Sequence, residues 1–220
     1  VLKFLPMPPL AAVAAVLLLA ACASPDPVAY GDLASSSYLK PNRGDQSDHL
    51  PFAYSSPVDW HRYAKVLVEP VAIYGGADNQ LAELSSEDRA DLAAYMQSQF
   101  SAALAKRFRL AEIPARDTLR IRLTLTGAAT NSALLSTFAH FDLAGSLYNG
   151  VQAVRGGEGM MMGSVSYAVE ICDSASNRLL EAFVAKQYPG AYNIGATFGS
   201  LAAARTGIDK GAEALAERFD

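Results

Sequence analysis

Cysteine is nearly missing from this sequence, with Cys22 and Cys172 the only two among 220 residues, so a stapled, disulfide-built scaffold is excluded. Histidine is almost as scarce. His49, His61 and His140 lie in three separate segments without HxxxH or CxxC spacing, which gives no metal-ligand pattern. No Gly-x-Ser-x-Gly elbow is present, and the glycines at 156, 157, 159 and 163 lack the Lys and Ser/Thr of a phosphate cradle, with Glu158 set to repel an anion. Dense runs of Lys or Arg are missing too. With a net charge of −4 and a pI near 5.4, nothing tracks phosphates and nucleic acid is not an expected partner. The apolar run from Leu10 to Leu19 is bounded by Pro6, Pro8 and Pro9 on one side and Ser24, Pro25 and Asp26 on the other. That is roughly half of the ~20 residues that a spanning helix needs.

What the run does fit is a secretory leader. Lys3 gives a small positive region, Leu10 to Leu19 an apolar one, and Leu19-Ala20-Ala21 the small residues a peptidase accepts. A cysteine directly afterwards resembles the lipobox of bacterial lipoproteins. That resemblance implies acylation of Cys22 and cleavage between Ala21 and Cys22. Acyl chains gain about 0.8 kcal/mol per buried methylene, and two or more together make attachment effectively permanent. Ala23, where retained lipoproteins carry aspartate, implies sorting to the outer membrane of a Gram-negative cell, facing the periplasm. The covalent lipid is the only expected prosthetic group. Cys172 is then the one remaining thiol and reads as a small packing residue.

The expected organisation is a signal peptide over 1–21, a lipidated flexible tether over 22–57 and a single domain over 58–220. The tether is rich in Ser, Pro, Asp, Gly and Asn without sustained periodicity, and about 35 such residues would span roughly 30 Å. Tyr30, Tyr38, Leu39, Phe52 and Tyr54 imply that part of it docks on the domain. Residues 65–74 (KVLVEPVAIY) read as a strand buried on both faces, with Pro70 marking an edge or bulge. Ser85 and Asp88 form a start signal for a helix over 86–108, and Leu92, Met96, Phe100, Leu104 and Phe108 recur along one face of it. Leu119, Ile121, Leu123 and Leu125 then alternate with Arg120, Arg122, Thr124 and Thr126, giving a strand with one greasy and one wet face.

Residues 127–162 are apolar enough for a buried helix, yet Gly145 and Gly150 weaken that reading by about 1 kcal/mol each. A hairpin follows, with Val165, Tyr167, Val169 and Ile171 on its first arm and 179–185 on its second. A last helix places Ile208, Ala212, Leu215 and Phe219 on one face. The fold class is α+β or α/β, a single layer of mixed or antiparallel sheet with packed helices in the order β-α-β-(irregular or helical)-β-β-α.

The stretches YSSPVDWHRYAKVLVEPVAIY, LSSEDRADLAAYMQSQFSAALAKRF, TLRIRLTLTGA and GSVSYAVEICDSASNRLLEAF resemble the bacterial lipoprotein family called domain of unknown function 3313, over roughly 36–187. Ser176-Asn177 stands where that family usually has Thr-Gly, and asparagine also tolerates a positive φ. The resemblance implies a lipoprotein fold and carries no catalytic residues. The expected role is therefore non-catalytic: an anchored domain that binds an envelope protein or supports an assembly, with Asp59, Trp60 and Tyr63 as candidate partner surface or, alternatively, as core and lid packing. A second reading is an oligomer acting on the membrane through 127–162, by analogy with ring-forming secretion lipoproteins of the curli type. An envelope enzyme is third.

Overall fold

The computed structural model describes residues 26–45, 49–129, 163–189 and 201–219. The lipobox, His140 and nearly all of the 127–162 stretch lie outside the described residues. Among those described, the chain forms one open, mixed eight-stranded sheet and two α-helices, an α+β fold that does not close into a barrel. None of the described helices is long and apolar enough to cross a membrane.

The strands are β1 (Lys40–Pro41), β2 (Phe52–Ser55), β3 (Lys65–Val68), β4 (Ala72–Ile73), β5 (Arg109–Leu110), β6 (Thr118–Ala128), β7 (Val165–Asp173) and β8 (Leu179–Gln187). The sheet runs β1-β2-β8-β7-β6-β3-β5, and β4 follows β3 alongside β6. β3 and β4 are parallel to β6, whereas β6, β7, β8 and β2 pair antiparallel in succession. Parallel neighbours need a crossover. Helix α1 (Ser86–Leu104) lies within that crossover.

The alternation on β6 decides which side is core. Leu119, Ile121, Leu123 and Leu125 are each at most 1% exposed and meet Tyr167, Val169 and Ile171 of β7 on the inner face. Leu92, Met96, Phe100 and Leu104 of α1, with Ile208, Ala212 and Leu215 of α2 (Ala202–Glu217), close that face. Ser85 caps α1 as its sequence implies, its hydroxyl accepting from the Asp88 amide at 3.0 Å. Regular helix stops at Leu104, short of 108. The following turn still carries Phe108 into the core.

Two expectations are corrected. Residues 65–74 do not make one strand buried on both faces. Donors to β6 come from alternate residues, so after Glu69 N donates to Ile121 O the next rung falls to Val71, just past Pro70, and is not made; pairing resumes in β4 with Ala72 opposite Thr124, one extra residue having been accommodated at the proline. The Val71 amide turns to the Gln97 side chain of α1 instead, at 2.8 Å, and Ile73 is left 42% exposed. The sheet also begins before residue 58. β2 pairs with β8 through Phe52↔Val184 and Ala53↔Phe183, inside the stretch expected as tether.

The docking foreseen for the tether's aromatic residues is extensive. Tyr30, Leu33 and Leu39 are buried and pack with Tyr74, Ala168, Ala182 and Val184 on the outer face of the sheet, opposite the helices. The sheet is thus covered on both sides, by helices on one and by the N-terminal segment on the other.

Candidate functional site

The outer face is where polar residues converge. Strand alternation puts Arg120 and Arg122 on it, and the β6–β7 register sets them opposite Cys172 and Glu170 respectively. Glu69, the residue before Pro70, reaches across to both arginines, its two carboxylate oxygens 3.3 Å from Arg120 Nε and 3.2 Å from Arg122 Nε. Asn177 closes the cluster from the β7–β8 turn. Its φ of 57° is the left-handed conformation that asparagine tolerates. From there Oδ1 accepts from Arg120 Nη1 at 3.2 Å and from Arg122 Nη2 at 3.0 Å.

The N-terminal segment closes over this cluster and leaves a cavity of about 410 Å³, lined in part by Tyr38, Tyr54, Arg122, Glu170, Asn177 and Arg178. Tyr38 and Tyr54 form one wall, their rings 5.1 Å apart. Glu170 is only 5% exposed and accepts from the Ser35 backbone N–H at 2.6 Å, so the floor and the lid share a hydrogen bond. The lining brings together half-buried Arg122, exposed Arg178, two phenol rings and the Glu170 carboxylate. That arrangement suits a carboxylate or carbonyl-bearing surface group, which arginine engages with directed donors.

Cys172 shares the cavity wall but is not poised as a nucleophile. Burial pushes its thiol up, outweighing Arg122 and Arg120, which favour the thiolate; Glu170 and Glu69 disfavour it. A protonated, buried thiol packs, as the sequence implied.

Asp59, Trp60 and Tyr63 each make contacts within the domain, with Asp59 exposed and Trp60 half-buried. Asp59 caps a 3₁₀ turn at Trp60–Arg62 by accepting from the His61 amide at 3.1 Å. The Trp60 ring stands edge-on to Phe219 at 5.1 Å, and Tyr63, 6% exposed, donates to Asp173 Oδ2 at 3.0 Å. Of the histidines, His49 stacks on Tyr188 at 4.6 Å and His61 is exposed. Among the described residues no group of His, Cys, Asp and Glu is disposed to hold a metal.

Sequence reasoning named none of Tyr38, Tyr54, Arg122, Glu170, Asn177 and Arg178 as a site candidate, nor Glu69 beside them. The available signal was two arginines two positions apart on the polar side of β6. Read locally, that pattern is a solvated face.

An open α+β sheet, helices on one face and a polar cavity under a folded-back segment on the other, is the class of protein these features define. Residues 29–215 match the model of the family described as protein of unknown function DUF3313, and the chain belongs to that family. No curated protein matches the chain. Among solved structures, the chain is similar to a PelC dodecamer from Paraburkholderia phytofirmans, at 13% identity over 73% of this chain and 94% of that one, with a TM-score of 0.39. A DUF330 protein from Xanthomonas campestris is similar at 9% identity over 69% and 81%, with a TM-score of 0.35.

Proposed function

We propose that this chain is an outer-membrane lipoprotein, acylated on Cys22, whose domain is a non-catalytic binding module that engages a periplasm-facing envelope protein through the outer-face cavity. The observation that carries the binding role is the cavity itself, lined by half-buried Arg122, exposed Arg178 and the paired rings of Tyr38 and Tyr54. Arg and Tyr are the side chains that most often anchor protein interfaces. The complementary group on the partner is a carboxylate. Support for the anchor comes from the run Leu19-Ala20-Ala21-Cys22, and support for outer-membrane sorting from Ala23.

Two arms test the reading. Cys22→Ser is expected to abolish labelling by a fatty-acid probe and to release the protein into the soluble periplasmic fraction; continued membrane retention would remove the anchor. A photo-crosslinking residue at exposed Ala34, which also lines the cavity, is expected in living cells to capture one defined envelope protein, and the adduct should disappear in Arg122→Glu. The same probe at exposed Ile113 should not capture it. Equal capture at both positions would refute the cavity as the binding surface.

A further inference from the structure

We propose that the domain stands end-on to the bilayer, with the end of the sheet that holds Asp26, Gln80 and Lys186 against the lipid headgroups and the β7–β8 hairpin pointing away. This rests on acylation of Cys22. Asp26 is fixed at two points: its side chain pairs with Lys186 Nζ at 3.2 Å, and its carbonyl accepts from Gln80 Nε2 at 2.7 Å. Lys186 is itself 6% exposed at its side chain, so this clamp belongs to the body of the domain. Four residue steps separate Cys22 from Asp26. A fully extended chain covers at most about 14 Å in that number of steps. The folded domain is therefore held within one short reach of its lipid, far closer than the roughly 30 Å expected of a free 35-residue tether.

The register then orients it. Lys186 pairs with Ser166, and Ala129 N donates to Ser164 O at 2.9 Å, so the clamp, the end of β6 and the start of β7 share one end of the sheet. Seven residue steps along β7 from Ser166 to Asp173, at about 3.4 Å each, put the hairpin roughly 24 Å farther from the clamp. Lying flat on the outer face is opposed by charge. Asp32 and Asp78 are exposed there, with Asp78 Oδ2 accepting from Gly31 N, and anionic headgroups would repel them. End-on, these carboxylates face water at the side and the polar cavity opens to the periplasm.

The test uses the full acylated chain in vesicles of phosphatidylethanolamine and phosphatidylglycerol containing a trace of acceptor-labelled lipid. In a Cys172→Ala background, a donor dye is placed at Val28→Cys, beside the clamp, or at Ala175→Cys, in the hairpin; both sites are exposed. Energy transfer is expected to be several-fold stronger from position 28 than from 175. Insertion of about 20 Gly and Ser residues between Pro25 and Asp26, which adds roughly 25 Å of flexible span, should erase the difference. Equal transfer from both sites in the uninserted protein, or a difference that survives the insertion, overturns the orientation while leaving the anchor intact. A chain that does not stay on the vesicles, and carries no acyl mass on Cys22, overturns both.

Discussion

The Ser35 backbone N–H donates to the Glu170 carboxylate at 2.6 Å, across 135 positions of sequence, with both residues buried. This bond fastens the N-terminal segment to the middle of the sheet. Replacing Glu170 with alanine leaves the buried amide without its acceptor, which costs about 1–3 kcal/mol. The urea midpoint should fall, and trypsin should cut faster after exposed Arg43. Glu170→Gln keeps an acceptor oxygen and should lose less.

Asn177 serves the cavity in two separable ways, by its positive φ and by its amide oxygen. Asn177→Gly keeps the backbone conformation and loses only the two arginine bonds. Asn177→Ala loses the bonds and also strains the backbone by a further 1–2 kcal/mol or so. Denaturation of the two variants should rank alanine below glycine. An equal loss would mean that the turn relaxes out of the left-handed region.

Gly207 is one of two glycines, with Gly211, at which α2 closely approaches the sheet. A β-carbon at Gly207 would lie 2.8 Å from Val165 Cγ1 and 2.9 Å from the Gln187 carbonyl oxygen. Alanine would add about 1 kcal/mol of helix propensity. Overpacking against backbone costs about 1–3 kcal/mol and should win. Gly207→Ala is therefore expected to lower Tm, whereas Gly75→Ala, with open space around its added carbon, should leave Tm nearly unchanged.

Stability should fall at both extremes of pH. On the alkaline side, burial pushes the Tyr30 phenol up from 10.0 to about 12, and burial raises Tyr167 as well. The folded form therefore holds these protons after the unfolded chain has released its own. Their contribution is complete below pH 10 and declines as pH rises toward 12 and beyond. Tyr30→Phe should flatten the first part of that decline in pH-dependent urea titrations.

On the acid side, burial alone would raise Asp173, but the Ser176 hydroxyl and amide, the Tyr63 hydroxyl and the Ala175 amide outweigh it and hold the carboxyl below 3.8. Its stabilisation is present above that ordinary value and is lost as pH falls through the lower folded one. Asp173→Asn should reduce the acid dependence, measured in the same titrations.

Much of the inner layer was legible residue by residue. The two-residue alternation of Leu119, Ile121, Leu123 and Leu125, the four-residue recurrence from Leu92 to Phe108, the Ser85 cap and the turn tolerance of Asn177 are consequences of local backbone geometry, which a sequence states directly. The outer face was less legible. Glu170 alternates with apolar neighbours as a water-facing residue would, yet it is buried because a segment more than 100 residues away folds over it.

The sequence by itself determined the periods of its strands and helices, the single packing thiol and the break available at Pro70, because each depends on neighbours within a few positions. Only the tertiary structure decided that β3 and β6 lie parallel, that residues 26–45 become the second layer and that Glu69 and Asn177 gather Arg120 and Arg122 beneath it. Those arrangements come from pairing and burial between distant segments, whose free energy is set by the assembled surfaces and not by local spacing.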